Sequence, residues 1–392
     1  MKPVKTGLEK LIDSGHPWIP GSRLGLLCNP ASVDAAYVHA RDRLAECFPG
    51  QLKALYSPQH GFHAEKQDNM IESDHMIDTA TGLPVYSLYG ETRVPTPPML
   101  APIDVLLVDL QDVGTRVYTF IYTLSYCLEA AAKSGVRVLI LDRPNPINGR
   151  DLEGNILEPQ WASFVGRFPI PMRHGLTVGE IGRLFNDRFD LNATLDVVPM
   201  QGWQRAMWFT DTGLPWVPPS PNMPTVSTAV VYPGQVIWEG TNISEGRGTS
   251  LPFELFGAPF LSPDNILATV GGSQLPGATL RPCLFEPTSG KHAGMACQGF
   301  QIHVTDPDQY RPYVTSLKLL QAVCHHHADQ FQWKSTPYEY EFEKTAIDLI
   351  LGSQDLRQRI QAMASLDDLE VSWQPDLAAF DALRRSYFLY PD

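Results

Sequence analysis

Two apolar runs constrain this chain more than any other feature: IDVLLVDL (Ile103–Leu110) and VRVLILD (Val136–Asp142). Neither alternates apolar with polar residues over its centre, which is the pattern of strands covered on both faces. Such strands belong to parallel sheets, and a parallel pair needs a crossover long enough to hold a helix. The residues between the runs supply one. A helical pattern spans Val117–Lys133 and closes at Gly135, the position where a left-handed residue ends a helix. The same alternation surrounds this unit. Strands are expected at Arg23–Cys28, Gln51–Tyr56, Leu83–Leu88 and Thr194–Met200, and helices at Asp34–Phe48 and Thr177–Phe189. The last helix opens with Thr177 and Glu180 at capping-box spacing. The expected fold class is α/β, a Rossmann-like, largely parallel sheet with helices on both faces.

From Trp203 to Pro233 the pattern gives way to a connector rich in proline and tryptophan. Beyond it, Gly299–Asp306 alternates like a half-buried antiparallel strand. Helices are expected at Tyr310–His325 and, after Pro375, at Asp376–Tyr387. The expected organisation is a catalytic domain over 1–232 and a smaller α+β auxiliary domain over 233–392 that completes a cleft.

The length of 392 residues accommodates two such units. A formal net charge of −13 argues against a nucleic-acid surface or an anionic membrane as partner, since both need a basic face. No apolar stretch reaches the length of a membrane span, so no membrane insertion is expected. The start, MKPVKTGLEK, lacks the apolar region of a secretory signal. The six cysteines are scattered without a CxxC, which suits free thiols in a reducing compartment, and a cytoplasmic location is expected. The phosphate cradles GxxxxGK[ST] and GxGxxG are missing, as is the GxSxG elbow. His60, His63, Asp74 and His75 lie close in sequence but lack the spacing of zinc motifs. No metal and no cofactor are expected.

Chemistry is expected where the strands end. Open parallel sheets bind ligands outside the carboxyl ends of their strands. Here the strands are followed by NPASV, SPQHGFHAEKQD, YGETRVPT, QDVGTRVYT and DRPNPING. Functional side chains concentrate in these loops, which are expected to line one cleft closed on its far side by Glu239–Thr249. Each has a plainer reading as well. Asp109 could cap the next helix, Arg143 could brace its own loop, His174 could be a satisfied core histidine, and Glu245 and Arg247 could form a structural ion pair.

The longer motifs SPQHGF, SLYGETRVPTPPML, DVLLVDLQDVGTRVYTF, DRPNPINGRDLEGNILE, SFVGRFPIPMRHGLTVGEI, PPSPNMPT and EGTNISEGRGTSLPFELFGAPF resemble those of the exo-β-N-acetylmuramidase family, from about Gly21 to Tyr390. The resemblance implies a Rossmann-like domain followed by an auxiliary domain. It implies release of N-acetylmuramic acid from the non-reducing ends of peptidoglycan-derived muropeptides or disaccharides. Glycoside hydrolysis generally uses two carboxyl groups. The candidates are Glu65, Glu72, Glu91, Asp109, Asp112, Glu239 and Glu245. The lactyl carboxylate of the sugar calls for arginine. Arg93, Arg116, Arg143, Arg173 and Arg247 are candidates, with Asn29, Tyr118, Asn145, His174, Asn222 and Asn242 as further binding residues. Where many family members read Glu-His-Gly, this chain reads Gln59-His60-Gly61. Gln59 and His60 remain catalytic candidates, but an amide exchanges no proton, so Glu65 or Glu72 is expected to supply the acid. The alternatives are a hydrolase with a different sugar or amide target, or a sugar-acid binding protein without turnover.

Overall fold

The computed structural model describes residues 3–67 and 71–391. Its first sheet is built from β1 (Leu24–Cys28), β2 (Leu52–Ser57), β3 (Met76–Ile77), β4 (Pro84–Ser87), β5 (Val105–Asp109) and β6 (Arg137–Leu141). A hairpin, β7 (Glu153–Ile156) with β8 (Pro171–Arg173), follows, and β9 (Leu195–Val198) ends the sheet. The seven strands run in the order β3-β4-β2-β1-β5-β6-β9, parallel except for β3 against β4. Every residue of β1 and β5 is buried. Alternate residues of β5 serve opposite layers: Leu106 and Val108 join the core under the helix Phe120–Ser134, whereas Val105 and Leu107 face the helices Gly7–Ser14 and Ala40–Cys47. This is why the run shows no polar alternation.

Local chemistry sets the helix ends. Thr177 caps Val178–Arg188 through the expected capping box with Glu180, and Gly135 ends Phe120–Ser134 with φ of 68°. The helix expected from Asp34 begins only at Ala40. The Asp34 carboxylate accepts the backbone N–H groups of Ala36 (2.8 Å) and Val38 (2.9 Å), and Tyr37 takes a φ of 62°. A side chain that satisfies the backbone in this way favours a turn over a helix.

The connector also departs from expectation, because Val226–Gln235 is helical and buried from Thr228 onward. It leads to an antiparallel sheet of β10 (Leu255–Ala258), β11 (Gln274–Leu275), β12 (Ala278–Phe285) and β13 (Cys297–Val304), in the order β10-β13-β12-β11. The alternating segment anticipated at Gly299–Asp306 lies largely in β13. The helix expected after Pro375 instead runs through it, from Leu366 to Arg384. Ser365 caps its start, and Leu369, Trp373, Leu377 and Phe380 form a buried stripe. Proline removes the hydrogen bond to the carbonyl four residues earlier. That residue, Val371, is 69% exposed, so water is at hand for its carbonyl.

One buried cation ties the layers together. Arg116, in the loop after β5, donates to the carbonyls of Asn155 (2.8 Å) and Ile170 (3.0 Å) at the hairpin, and of Ile350 (3.1 Å) and Leu351 (2.8 Å) in the helix Ala346–Leu351. Carbonyls at a helix C-terminus carry partial negative charge and favour a cation. An Arg116→Met substitution keeps the bulk and strands these acceptors in a dry interior. We expect urea unfolding to show a loss on the order of 3 kcal/mol. A loss below about 1 kcal/mol would contradict this account of the interface.

Candidate active site

The chain passes from β1 outward to β2 on one side, while β5 pairs β1 on the other, so a crevice opens at the carboxyl ends between them. β2 delivers Gln59 to this crevice. The turn behind it is sharp: His60 and Gly61 have φ of 77° and 87°. Gln59 is buried, and its amide uses both functions. Its Oε1 accepts from Thr119 Oγ1 of the loop after β5 (2.7 Å), and its Nε2 donates to Glu339 Oε1 (3.1 Å). An amide carries a donor and an acceptor on one carbon, so Gln59 joins these two partners at once.

Gln59, Thr119 and Glu339 line a small chamber together with His60, Tyr118, Asn222, Tyr232, Glu239, Arg247 and Tyr338. Two of these are glutamates in opposite surroundings. Burial works to raise the pKa of Glu239, but Arg247 Nη2 (2.7 Å) and the Tyr338 hydroxyl (2.7 Å) outweigh it, and the carboxyl is held below the ordinary glutamate range. Arg247 also approaches Glu245 (3.3 Å), which accepts from Lys291 Nζ (2.8 Å). For Glu339 the balance reverses. Burial pushes its pKa up and the charge of Glu239 adds to that, against hydrogen bonds from Tyr89 (2.6 Å) and Gln59 and the charge of Arg93. Glu339 and Tyr340 both have positive φ, 47° and 65°. Left-handed non-glycine residues persist only where the surroundings enforce them.

His60 adds a neutral base. Its Nδ1 lies 2.8 Å from the Lys66 carbonyl, which can only accept, so Nδ1 carries the proton and Nε2 keeps its lone pair. Burial lowers the ring pKa to about 4.

The remaining expected residues divide by location. Tyr118 and Asn222 line the chamber, and Asn222 donates to the Gln67 carbonyl (2.7 Å). Asp109 and Arg143 do not line it; they form a buried bidentate pair, with Arg143 also reaching the Val33 carbonyl. Asn29 and Asn145 hold backbone groups of neighbouring loops. Asp112 binds the Gly114 N–H (2.6 Å) and lies 3.7 Å from His174. Arg116 is spent on the carbonyls described above. Arg173 contacts the Ile147 carbonyl and Asp151, beside a separate hollow. Arg93 stands over the rings of Tyr340 (4.2 Å), Phe164 (4.6 Å) and Tyr89 (5.2 Å), next to Glu339. Asn242 braces the Gln330–Gln332 backbone. Glu65, Glu72 and Glu91 are exposed; Glu72 accepts from Tyr340 (3.0 Å). Among the described residues no group of three histidine, cysteine, aspartate or glutamate side chains is placed to hold a metal ion.

Sequence reasoning passed over Glu339, Tyr338, Tyr89 and Thr119. Tyr89 and Thr119 lie inside motifs already singled out. The segment PYEYE (Pro337–Glu341) gave one faint signal, alternating tyrosine and glutamate in a stretch without helix or strand period.

Comparison with known proteins supports a relationship along the whole length. The models for the N-terminal and C-terminal parts of exo-β-N-acetylmuramidase NamZ match residues 24–227 and 230–390. The peptidoglycan β-N-acetylmuramidase NamZ of Bacillus subtilis (strain 168) is 43% identical over 387 residues, 99% of this chain and 91% of that protein. Two crystal structures of DUF1343 family proteins from Bacteroides fragilis NCTC 9343 share the fold. One superposes with a TM-score of 0.87 at 35% identity, covering 100% of both chains; the other gives 0.79 at 27% identity, covering 99% of each.

The environment of His60 predicts a ring that stays neutral across the physiological range, with the proton on Nδ1. Nitrogen NMR of the histidine rings should show a titration midpoint near 4 for His60. A midpoint at the ordinary value of about 6.5, or a proton on Nε2, would contradict the tautomer deduced here.

Proposed function

The chain belongs to the exo-β-N-acetylmuramidase family, and on that premise we propose that it is a glycosidase that releases N-acetylmuramic acid from the non-reducing ends of peptidoglycan-derived muropeptides or disaccharides. The observation that carries this reading is the pair Glu239 and Glu339 in one chamber, with environments that push their pKa values apart. Glycosidic cleavage builds positive charge at the anomeric carbon, and an ionised carboxylate nearby stabilises it. Glu239, kept ionised by Arg247 and Tyr338, fits that task.

The substrate class has support of its own. N-acetylmuramic acid carries a lactyl carboxylate. Of the arginines considered for it, Arg247 is on the chamber wall, where it already pairs with Glu239 and Glu245, whereas Arg116 and Arg143 do not line the chamber. In this reading 1–232 forms the catalytic domain and 233–392 the auxiliary domain, which contributes Glu239, Arg247 and Glu339 to the cleft. No helix among the described residues is long and apolar enough to cross a membrane. All six cysteines are free thiols, which favours action in the cytoplasm on recycled wall fragments.

The wild-type protein is expected to release the chromophore from an aryl β-N-acetylmuramide and free N-acetylmuramic acid from a disaccharide that carries it at the non-reducing end. Glu239→Gln should lower kcat on both by about 10²–10³-fold with little change in KM. Saturable binding of N-acetylmuramic acid by the wild type without turnover of either compound would overturn the hydrolase reading and favour a binding protein.

A further inference from the structure

We propose that Glu339 is the general acid of this hydrolysis, an assignment that rests on the glycosidase reading above. The geometry comes first. Glu339 lines the same chamber as Glu239 and is 5% exposed, and among the described residues its Oε1 accepts from Gln59 Nε2 and its Oε2 from the Tyr89 hydroxyl. A carboxyl group in such a place donates when neutral and accepts when ionised. Gln59 is an amide and has no proton to exchange. His60 presents a lone pair at Nε2, not a proton. Glu239 is committed to Arg247. Glu65 and Glu72 are exposed and absent from the chamber wall.

The electrostatics agree with the geometry. Among the described residues, the titratable or charged groups that face Glu339 include Tyr89 and Arg93 from the loop after β4, and Glu239, Tyr232, Tyr338 and Tyr340 from the later half of the chain. Burial and Glu239 favour its neutral form more than Tyr89, Gln59 and Arg93 favour the anion. Two titratable groups driven apart in this way mark an acid and its ionised partner.

The step balances as follows. The bond between the anomeric carbon and the leaving oxygen breaks, and its electron pair stays with that oxygen, which takes the proton of Glu339 and departs as a hydroxyl. Water supplies the oxygen that finally bonds to the anomeric carbon. One of its protons stays on the new hydroxyl, and the other replaces the one Glu339 gave up.

The test compares leaving groups. Natural disaccharides leave as a poor alkoxide and need the proton; a dinitrophenyl β-N-acetylmuramide leaves without it. Glu339→Gln keeps the shape and one acceptor oxygen for Gln59 Nε2, and its NH2 can donate to the Tyr89 hydroxyl, but it carries no proton to give up. It should lower kcat/KM for the disaccharide by about 10²–10⁴-fold, the range typical of general acid catalysis, and for the dinitrophenyl substrate by less than about 10-fold. Equal losses on both substrates, or none on either, would overturn the proposal and leave the glycosidase reading standing. Wild-type protein inactive on both would defeat the two together. Should Glu339→Gln fail to fold, Tyr89→Phe decides. It removes a bond that favours the Glu339 anion, so the alkaline limb of the pH–rate profile moves to higher pH. A limb that stays in place or moves down would reject Glu339 as the acid.

Discussion

A strand buried on both faces has no room for a polar side chain along its length, and this constraint organises the whole molecule. β1 and β5 are buried at every residue, so side chains that do chemistry are displaced to the loops at their carboxyl ends. Asp109 marks the boundary. It is the last residue of β5 and fully buried, and it is paired with Arg143 in a bidentate contact. A buried carboxylate without such a partner would cost several kcal/mol or give up its charge. The pair sits at the carboxyl end of β5, and the residues that line the chamber come from loops and from the later half of the chain.

The chamber wall is assembled from distant parts of the chain. Gln59 and Glu339 are 280 residues apart, and Tyr338 and Glu239 are 99 apart. The later half brings in both glutamates and Arg247, while the parallel sheet brings Gln59, His60 and Thr119. The two glutamates share a buried space in which each negative charge disfavours the other. Arg247 favours the anion of Glu239, to which its guanidinium is paired, whereas at Glu339 burial and the charge of Glu239 outweigh Tyr89, Gln59 and Arg93. Lys291 completes the balance by pairing with Glu245. The two carboxyls are thus pushed in opposite directions, Glu239 down by Arg247 and Glu339 up by burial.

Much of the scaffold was legible in the sequence. Apolar continuity gave the strands of the parallel sheet to within one or two residues at each end, and the Thr177–Glu180 capping box marked a helix start. The departures have local causes: the Asp34 carboxylate replaces the first helical turn, and a buried stripe of Leu369, Trp373, Leu377 and Phe380 carries a helix through Pro375. The site was legible only in part. Gln59, His60, Glu239 and Arg247 lie in motifs that stand out, but residue type does not tell an arginine that lines a cavity from one that satisfies carbonyls. Arg116 and Arg247 look alike on paper, and only the packing of the helix Ala346–Leu351 separates them. Glu339 was missed because its role depends on a contact made by a non-periodic loop at the far end of the chain.

The central claim is that the chamber holds one neutral and one ionised glutamate. Neutron diffraction from crystals grown at about pH 5, just above the ordinary glutamate range, observes this directly. The account predicts a deuteron on Glu339 and none on Glu239. A deuteron on Glu239, or none on either carboxyl, would contradict it.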